Sequence, residues 1–480
     1  MSSLKRKSAI AIAWDFGGLL LNRGSGFIIS IFLARLLSPE EFGLVGMAMV
    51  FIAISQVFID VGFASALIQR KENSNLAYSS VFYFNLFSGL ILTGMFYFLA
   101  PFIGKFYDSI EVTTLVRWLS LSFLFNSFNQ VQSTILKKEL NFKVLTIRGV
   151  IASNIAGILG IIAAFQGFGV YALVIQTLTS AILSTILLWS ISSWKPSLHF
   201  SFKELRGLIG YSSYVFFDQI VSTAFGKIDV MVIAKLFSPA TLGFYSRAVS
   251  LQSQVSVYST SSIKKVFFPV LSSLQNDKKG YERVYFKVIS VVAFISYGLT
   301  GVLYVLGESI IIGLFGEKWS PSVEIFEILI LSVCNFPIST MIINAFMSKG
   351  FSKENFKIGL LRKSVRIIPL CLAYFYGIYE FTVAVVVVSY IMTFVNVLLL
   401  NYYTKLSLKK LIQKIYEGMI PLISLFILNN YFEFYSLHTN VLIAFIFVVL
   451  YIGYNYLLKT EGFEFILVNV KKGIENWKSK

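Results

Sequence analysis

The chain has 480 residues, of which 56% are hydrophobic, 16% aromatic and only 14% charged. Soluble domains carry about a quarter charged residues, and a chain this apolar cannot cover a water-facing globule of its size, so it reads as an integral membrane protein. In a soluble protein its net charge of +17 would point to nucleic acid; here the bases sit in short loops between apolar runs, where they set topology and meet anionic lipid, and no nucleic-acid partner is expected.

In chain order, Lys5, Arg6 and Lys7 open an apolar run that passes Arg23 and reaches Leu37 with no small-residue cleavage site. That is too long for a signal peptide, so it is kept as the first span. A crossing helix needs about 20 apolar residues. Windows of that size fall near 11–35, 44–68, 78–103, 114–136, 146–166, 169–192, 211–236, 244–269, 286–314, 324–347, 358–378, 382–403, 411–431 and 438–458, fourteen in all. With the N-terminus placed in the cytoplasm, cytoplasmic segments hold thirty Lys and Arg, against four (Arg35, Lys105, Lys235, Lys318) in the opposite loops. The positive-inside rule then places both termini in the cytoplasm.

A repeat organises the spans. Residues 33–43 read LARLLSPEEFG and residues 233–243 read IAKLFSPATLG; WDFGG at 14–18 and YVFFDQ at 214–219 precede them at matching distance. Six spans separate the copies, so both halves run the same way, related by an axis along the membrane normal. The expected organisation is an N-terminal six-helix lobe over 1–194 and a joint over 195–210. A second six-helix lobe over 211–404 follows, then spans thirteen and fourteen with a basic tail over 405–480. Phe200, Phe202, Leu205, Leu208 and Ile209 give the joint an apolar stripe, predicting a helix in the cytoplasmic interface. In the repeated motif, Ser38 and Ser238 read as helix caps, Pro39 and Pro239 as first helical residues, and Gly43 and Gly243 as points of close packing.

Four of the six Asp (Asp15, Asp60, Asp218, Asp229) fall within spans, as do seven bases: Arg23, Arg117, Lys227, Arg247, Arg362, Lys363 and Arg366. Ionisable groups at membrane depth are costly and normally face a bundle interior or an aqueous cavity. By the helical rise, Arg23 and Lys227 come out near the midplane and the first three Asp nearer the cytoplasm. Asp15 and Asn22 align within about 20°, whereas Lys227 points away from Asp218. A cationic binding site for an anionic substrate, with Arg23, Lys227, Arg247 and Arg117 as its bases and the four Asp as gating or ion-coupling groups, is one reading; interhelical ion pairs are the other. Arg362, Lys363 and Arg366 lie near the cytoplasmic edge and read as snorkelling anchors. Asn126 and Gln130 share a helix face and suit sugar hydroxyls or interhelical bonds equally.

No phosphate-binding loop, zinc motif or nucleophile elbow is present, and the two Cys and two His show no metal spacing. No catalytic residue, cofactor or metal is therefore expected, and the chain reads as a non-enzyme.

FLARLLSPEEFG, DVGFASALIQRK (60–71), LGFYSRAVSL (242–251) and FFPVLSSLQND (267–277) together resemble the polysaccharide transporter branch of the MOP exporter superfamily, over residues 1 to about 460. The resemblance implies an all-α, V-shaped pair of six-helix bundles working by alternating access. It implies a flippase that moves undecaprenyl-diphosphate-linked oligosaccharides to the outer leaflet of a bacterial plasma membrane, for O-antigen, capsule or exopolysaccharide. A central cationic cavity would take the diphosphate, with a polysaccharide polymerase and a chain-length regulator as partners besides the lipids. Arg23, Lys227 and Arg247 are matched to that cavity by depth, and spans thirteen and fourteen resemble a lipid-tail groove. A cation-coupled multidrug exporter and a membrane polysaccharide polymerase or ligase are the rival readings; the excess of membrane bases over Asp speaks against the first, the short outer loops against the second.

Overall fold

Apolar runs closed by helix caps produce helices throughout, and the described residues hold no strand. The computed structural model describes the main chain of residues 2–431 and 437–478, and side chains at 10–11, 13–256, 267–428 and 439–469. The side chains of Lys5, Arg6, Lys7, Lys264, Lys265, His438, Lys471, Lys472, Lys478 and Lys480 lie outside the described set.

The chain divides into two compact units, residues 1–243 and 244–480. The first holds α1 (Ser2–Leu36), α2 (Pro39–Ser55), α3 (Phe63–Gln69), α4 (Asn75–Phe106), α5 (Ile110–Lys138), α6 (Phe142–Phe165), α7 (Tyr171–Ile191) and α8 (Phe202–Leu236). Helix α9 (Pro239–Ser273) begins there and continues into the second unit. That unit adds α10 (Lys278–Val305), α11 (Gly307–Phe315), α12 (Pro321–Ile330), α13 (Asn335–Ser348), α14 (Ser352–Val365) and α15 (Ile367–Tyr376). It ends with α16 (Ile378–Thr404), α17 (Leu408–Tyr416), α18 (Ile420–Tyr431), α19 (Leu437–Leu457) and α20 (Glu461–Lys478).

Every expected window falls on a helix or on a broken pair, such as α2 with α3 or α12 with α13. Among the described residues nine helices are long and apolar enough to cross a membrane, ten if the bent α17–α18 pair counts as one. Three more, α5, α8 and α9, have 29, 35 and 35 residues, long enough to cross, but are too polar to be among those nine. The apolar side chains exposed along α4 and α19, Phe98, Phe102, Phe445 and Leu450 among them, form a surface suited to lipid.

Side-chain bonds fix helix directions. Thr146 on α6 donates to the Trp14 carbonyl on α1 (3.0 Å), and eight residues on, Asn154 donates to Ser25 (3.2 Å), so α1 and α6 run parallel. Thr185 and Trp189 on α7 reach the Phe125 and Phe128 carbonyls of α5, again in parallel. The same pairing recurs in the second unit, where Asn335 and Ser339 on α13 meet Ser389 and Thr393 on α16. Helices α4 and α5 are antiparallel, with Thr93 donating to the Ser120 carbonyl and Gly104 packed on Thr113.

The joint differs from its expected helix. Residues 194–201 are irregular, and the helix that follows is the start of α8, a single rod of about 50 Å. Leu205 and Leu208 are buried, in a cluster with Phe63, Leu67 and Phe82 of the first unit. Of the stripe, Leu205 and Leu208 thus pack on protein, while Phe200, Phe202 and Ile209 stay exposed.

The repeated motif folds as two capped helix starts laid on each other. Ser38 accepts from the Glu41 N–H while the Glu41 carboxylate accepts from the Ser38 N–H, a capping box at the head of α2. Ser238 accepts from the Thr241 N–H at the head of α9. Gly43 lies directly on the Pro239 carbonyl, and Gly243 directly on the Pro39 carbonyl, so that a β-carbon on either would overlap main chain. Each copy's glycine sits on the other copy's proline, a reciprocal contact of the kind a twofold axis generates.

Candidate functional site

Helix α1 carries Arg23 on a stretch, Leu19 to Ile28, in which no residue is buried. Beside it Asn22 is bound into the seam with α6, where its Oδ1 accepts from Ser153 (3.4 Å) and Gly149 packs against its amide. Arg148 on α6 immediately precedes that glycine. The sequence reading counted Arg148 among the thirty cytoplasmic bases although it falls in the window 146–166; α6 begins at Phe142 and carries it in the helix, half-buried. Two guanidiniums thus flank one polar seam, and neither forms an ion pair among the described residues. The signal for Arg148 was its place inside the apolar window 146–166.

Helix α8 carries Asp218, Lys227 and Asp229. No residue between Ser213 and Val232 is buried, and Asp218 and Lys227 are exposed. A helix of this length that buries so little and bears charges at its middle needs water or an anionic ligand against it. On α5, Asn126 and Gln130 are half-buried with no side-chain partner among the described residues. Asp15 is exposed on α1.

Other expected site residues are held differently. The Asp60 carboxylate accepts from the Ala64 N–H (2.9 Å) and caps α3 where α2 breaks. Gly62, at φ +78°, lets the chain pass against the Ser212 carbonyl of α8. The other end of α3 is capped by Lys138, which donates to the Leu67 and Arg70 carbonyls (3.0 and 2.6 Å); partial burial and the Arg70 guanidinium beside it lower the Lys138 pKa. Arg70 in turn pairs with Glu204 (2.9 Å). Arg117 lies 5.1 Å over the ring of Tyr97.

Arg247, in the second unit, is buried between two rings, its guanidinium carbon 4.7 Å from the centroid of Phe315 and 5.0 Å from that of Trp319. Both rings are themselves buried. Gln252, one and a half turns on, donates to the Leu329 carbonyl (2.9 Å) and to Ser332 (2.8 Å) at the break between α12 and α13. Tyr390 donates to the Leu331 carbonyl of the same break (2.8 Å), so this break is stitched by side chains.

The sequence reading counted aspartates and passed over glutamates. Glu327 lies close enough to Glu308 and to Glu324 to feel their charge, and Asn440 on α19 donates to Glu308 (3.3 Å). Counting Glu with Asp inside the windows would have found them. Among the described residues no group of three potential ligands could hold a metal ion.

Long apolar helices in alternating directions, with charges retained at mid-helix, define a multi-pass membrane protein of the transporter kind. Residues 32–324 match the sequence profile of the family described as "Polysaccharide biosynthesis protein", and the chain belongs to that family. It is 23% identical over 364 residues to the lipopolysaccharide biosynthesis protein WzxC of Escherichia coli K12, spanning 75% of this chain and 74% of that one. It is 26% identical to the teichuronic acid biosynthesis protein TuaB of Bacillus subtilis, over 57% of each chain. With the succinoglycan biosynthesis transport protein ExoT of Rhizobium meliloti it shares 25% identity, over 64% of this chain and 63% of the relative. The fold is that of the MOP superfamily. The lipid II flippase MurJ in an inward closed conformation superposes with a TM-score of 0.72 at 19% identity, covering 93% of this chain and all of that one. An inward-facing MATE multidrug transporter gives 0.63 at 17%, covering 82% and 96%.

Proposed function

We propose that this chain is a flippase for oligosaccharide units carried on undecaprenyl diphosphate, moving them from the cytoplasmic to the outer leaflet of a bacterial plasma membrane. Transport without chemistry on the substrate is the reading, in two repeated lobes. A diphosphate crossing the bilayer needs compensating positive charge, and a sugar chain needs a wet, polar wall. The observation that carries the reading is that α5 and α8, long enough to cross but too polar to face lipid, hold Asn126, Gln130 and Lys227, alongside Arg23 and Arg148, which form no ion pair among the described residues. In this reading the guanidiniums grip the diphosphate, the amides line the sugar path, and Asp15, Asp218 and Asp229 serve gating or ion coupling. Both termini lie in the cytoplasm, by the distribution of basic loops. The apolar cavity of about 450 Å³ between α18 and α19, lined by Leu425, Leu428, Ile446 and Leu450, takes the prenyl chain.

The test is deletion of the gene in a strain whose surface polysaccharide depends on it. Loss of polymer with lipid-linked units accumulating in the inner leaflet supports the reading; intact polymer sinks it. The cluster of Glu308, Glu324 and Glu327 favours a second reading, cation-coupled drug export. Intact polymer together with new sensitivity to cationic drugs would select it.

A further inference from the structure

A second apolar cavity, of about 430 Å³, lies within residues 244–480 and plays no part in the proposed transport path. Its wall is one face of α10, with Val284, Val288, Val291 and Ile295 recurring at helical spacing, closed by Pro337 on α13 and Phe465 on α20. A cavity of this size is in the range of ligand pockets. Its one charged lining residue is Lys287, whose ammonium stands 4.2 Å over the ring of Phe465.

The bases of α10 lead up to this opening. Lys279, Arg283 and Lys287 recur every four residues, a ladder that climbs from the basic loop to the rim. Successive bases turn about 40° towards the apolar face. Lys279 and Arg283 are exposed. From the centre of that face Lys287 stands about 70°, Arg283 about 110° and Glu282 about 150° away, and Glu464 on α20 is exposed beside Phe465. Helix α20 is fixed over the cavity by its first turn. Gly462 packs on the Ser290 main chain and donates to the Ser290 hydroxyl (3.0 Å), and Glu461 pairs with Lys414 (3.2 Å).

We propose that this cleft is a binding site for one anionic phospholipid of the leaflet at the basic-loop side, its phosphate on Arg283 and Lys287 and one acyl chain in the cavity between α10 and α20. Charge selects the occupant. An apolar groove alone accepts any lipid, but Lys287 on the rim with the exposed Arg283 one turn before it favours a net negative headgroup over a zwitterionic one. The site goes beyond the transport reading, because it is separate from the α18–α19 cavity and does not need the substrate.

The experiment is native mass spectrometry of the full chain released from vesicles of phosphatidylglycerol or of phosphatidylcholine, followed by titration with each lipid. Expected is one phosphatidylglycerol retained per chain, phosphatidylcholine bound about tenfold more weakly, and that preference erased in Arg283→Gln/Lys287→Gln. Val288→Trp, which fills the cavity, should remove the bound lipid while the bases stay; Val284→Phe serves the same purpose should the tryptophan chain fail to insert. Equal retention of both lipids, or unchanged retention in the double variant, overturns the site. So does loss in the double variant with full retention in the filled one, since the bases would then act without the cavity. Undecaprenyl phosphate displacing phosphatidylglycerol at equal concentration would also overturn it, by assigning the cleft to a prenyl chain.

Discussion

Two arginines at membrane depth, Arg23 and Arg247, look alike in the sequence and are treated in opposite ways by the fold. Arg23 stands on a stretch of α1 where nothing is buried, beside a seam whose hydrogen bonds are made by Asn22, Ser25, Ser153 and Asn154. Arg247 is enclosed by Phe315 and Trp319, which are themselves buried. The cost of a charge in the membrane can be met by a protein wall or left for a ligand to meet. Depth and charge do not tell these apart; neighbours do. By that measure Arg23, Arg148 and Lys227 have no ion-pair partner among the described residues, whereas Arg247 and Asp60 are held by their surroundings.

Substitutions can break this contrast. The largest effect is expected for Arg23→Ala combined with Arg148→Ala: polymer output should fall about tenfold or more, roughly 1.4 kcal/mol or more of barrier, with protein level and thermal stability unchanged. Normal output would refute the cationic path. Arg247→Ala should instead cost stability, about 2 kcal/mol for a desolvated guanidinium between two rings, seen as a lower unfolding midpoint of the purified protein, with output falling only as far as folded protein does. Asp60→Ala should lose a helix cap, about 1 kcal/mol, whereas Asp60→Asn keeps an accepting oxygen and should melt like the parent. A transport defect in the Asn variant with normal stability would show that the carboxylate's charge is used, and would move Asp60 to the other side of the contrast. Smallest is Arg117→Gln, which gives up a cation–π contact with a half-exposed Tyr97; a change of under about 1 kcal/mol and unaltered output are expected.

Much of this was readable in the chain. Apolar windows marked the helices because only helices of that length satisfy their main chain in lipid. Even the stretches that carried the family resemblance have physical content: SPEEFG is a capping box and a crossing point, DVGFASALIQRK caps and docks α3, and SLQND ends on Asp277, which accepts from the Gly280 N–H to start α10 (3.0 Å). What stayed hidden was lateral. Sequence depth placed Arg247 beside Arg23 in kind, since the aromatic pair that encloses it comes about 70 residues later. Arg148, two residues inside its window, was lost because a base so near the edge was counted with the adjoining loop, and hydropathy locates the centre of a helix better than its ends. The break between α12 and α13 left no mark either, because the side chains that repair it, Gln252 and Tyr390, come from other helices.

The reciprocal seating of Gly43 on Pro239 and Gly243 on Pro39 also bears on how the chain can change over generations. Elsewhere the two copies of the repeat are free to diverge, since each position answers only to its own surroundings. At this crossing a larger residue in one copy collides with the backbone of the other, so neither copy can drift alone. The oldest trace of a duplicated ancestor should therefore persist where the copies touch, and it was there that the resemblance between residues 33–43 and 233–243 remained legible.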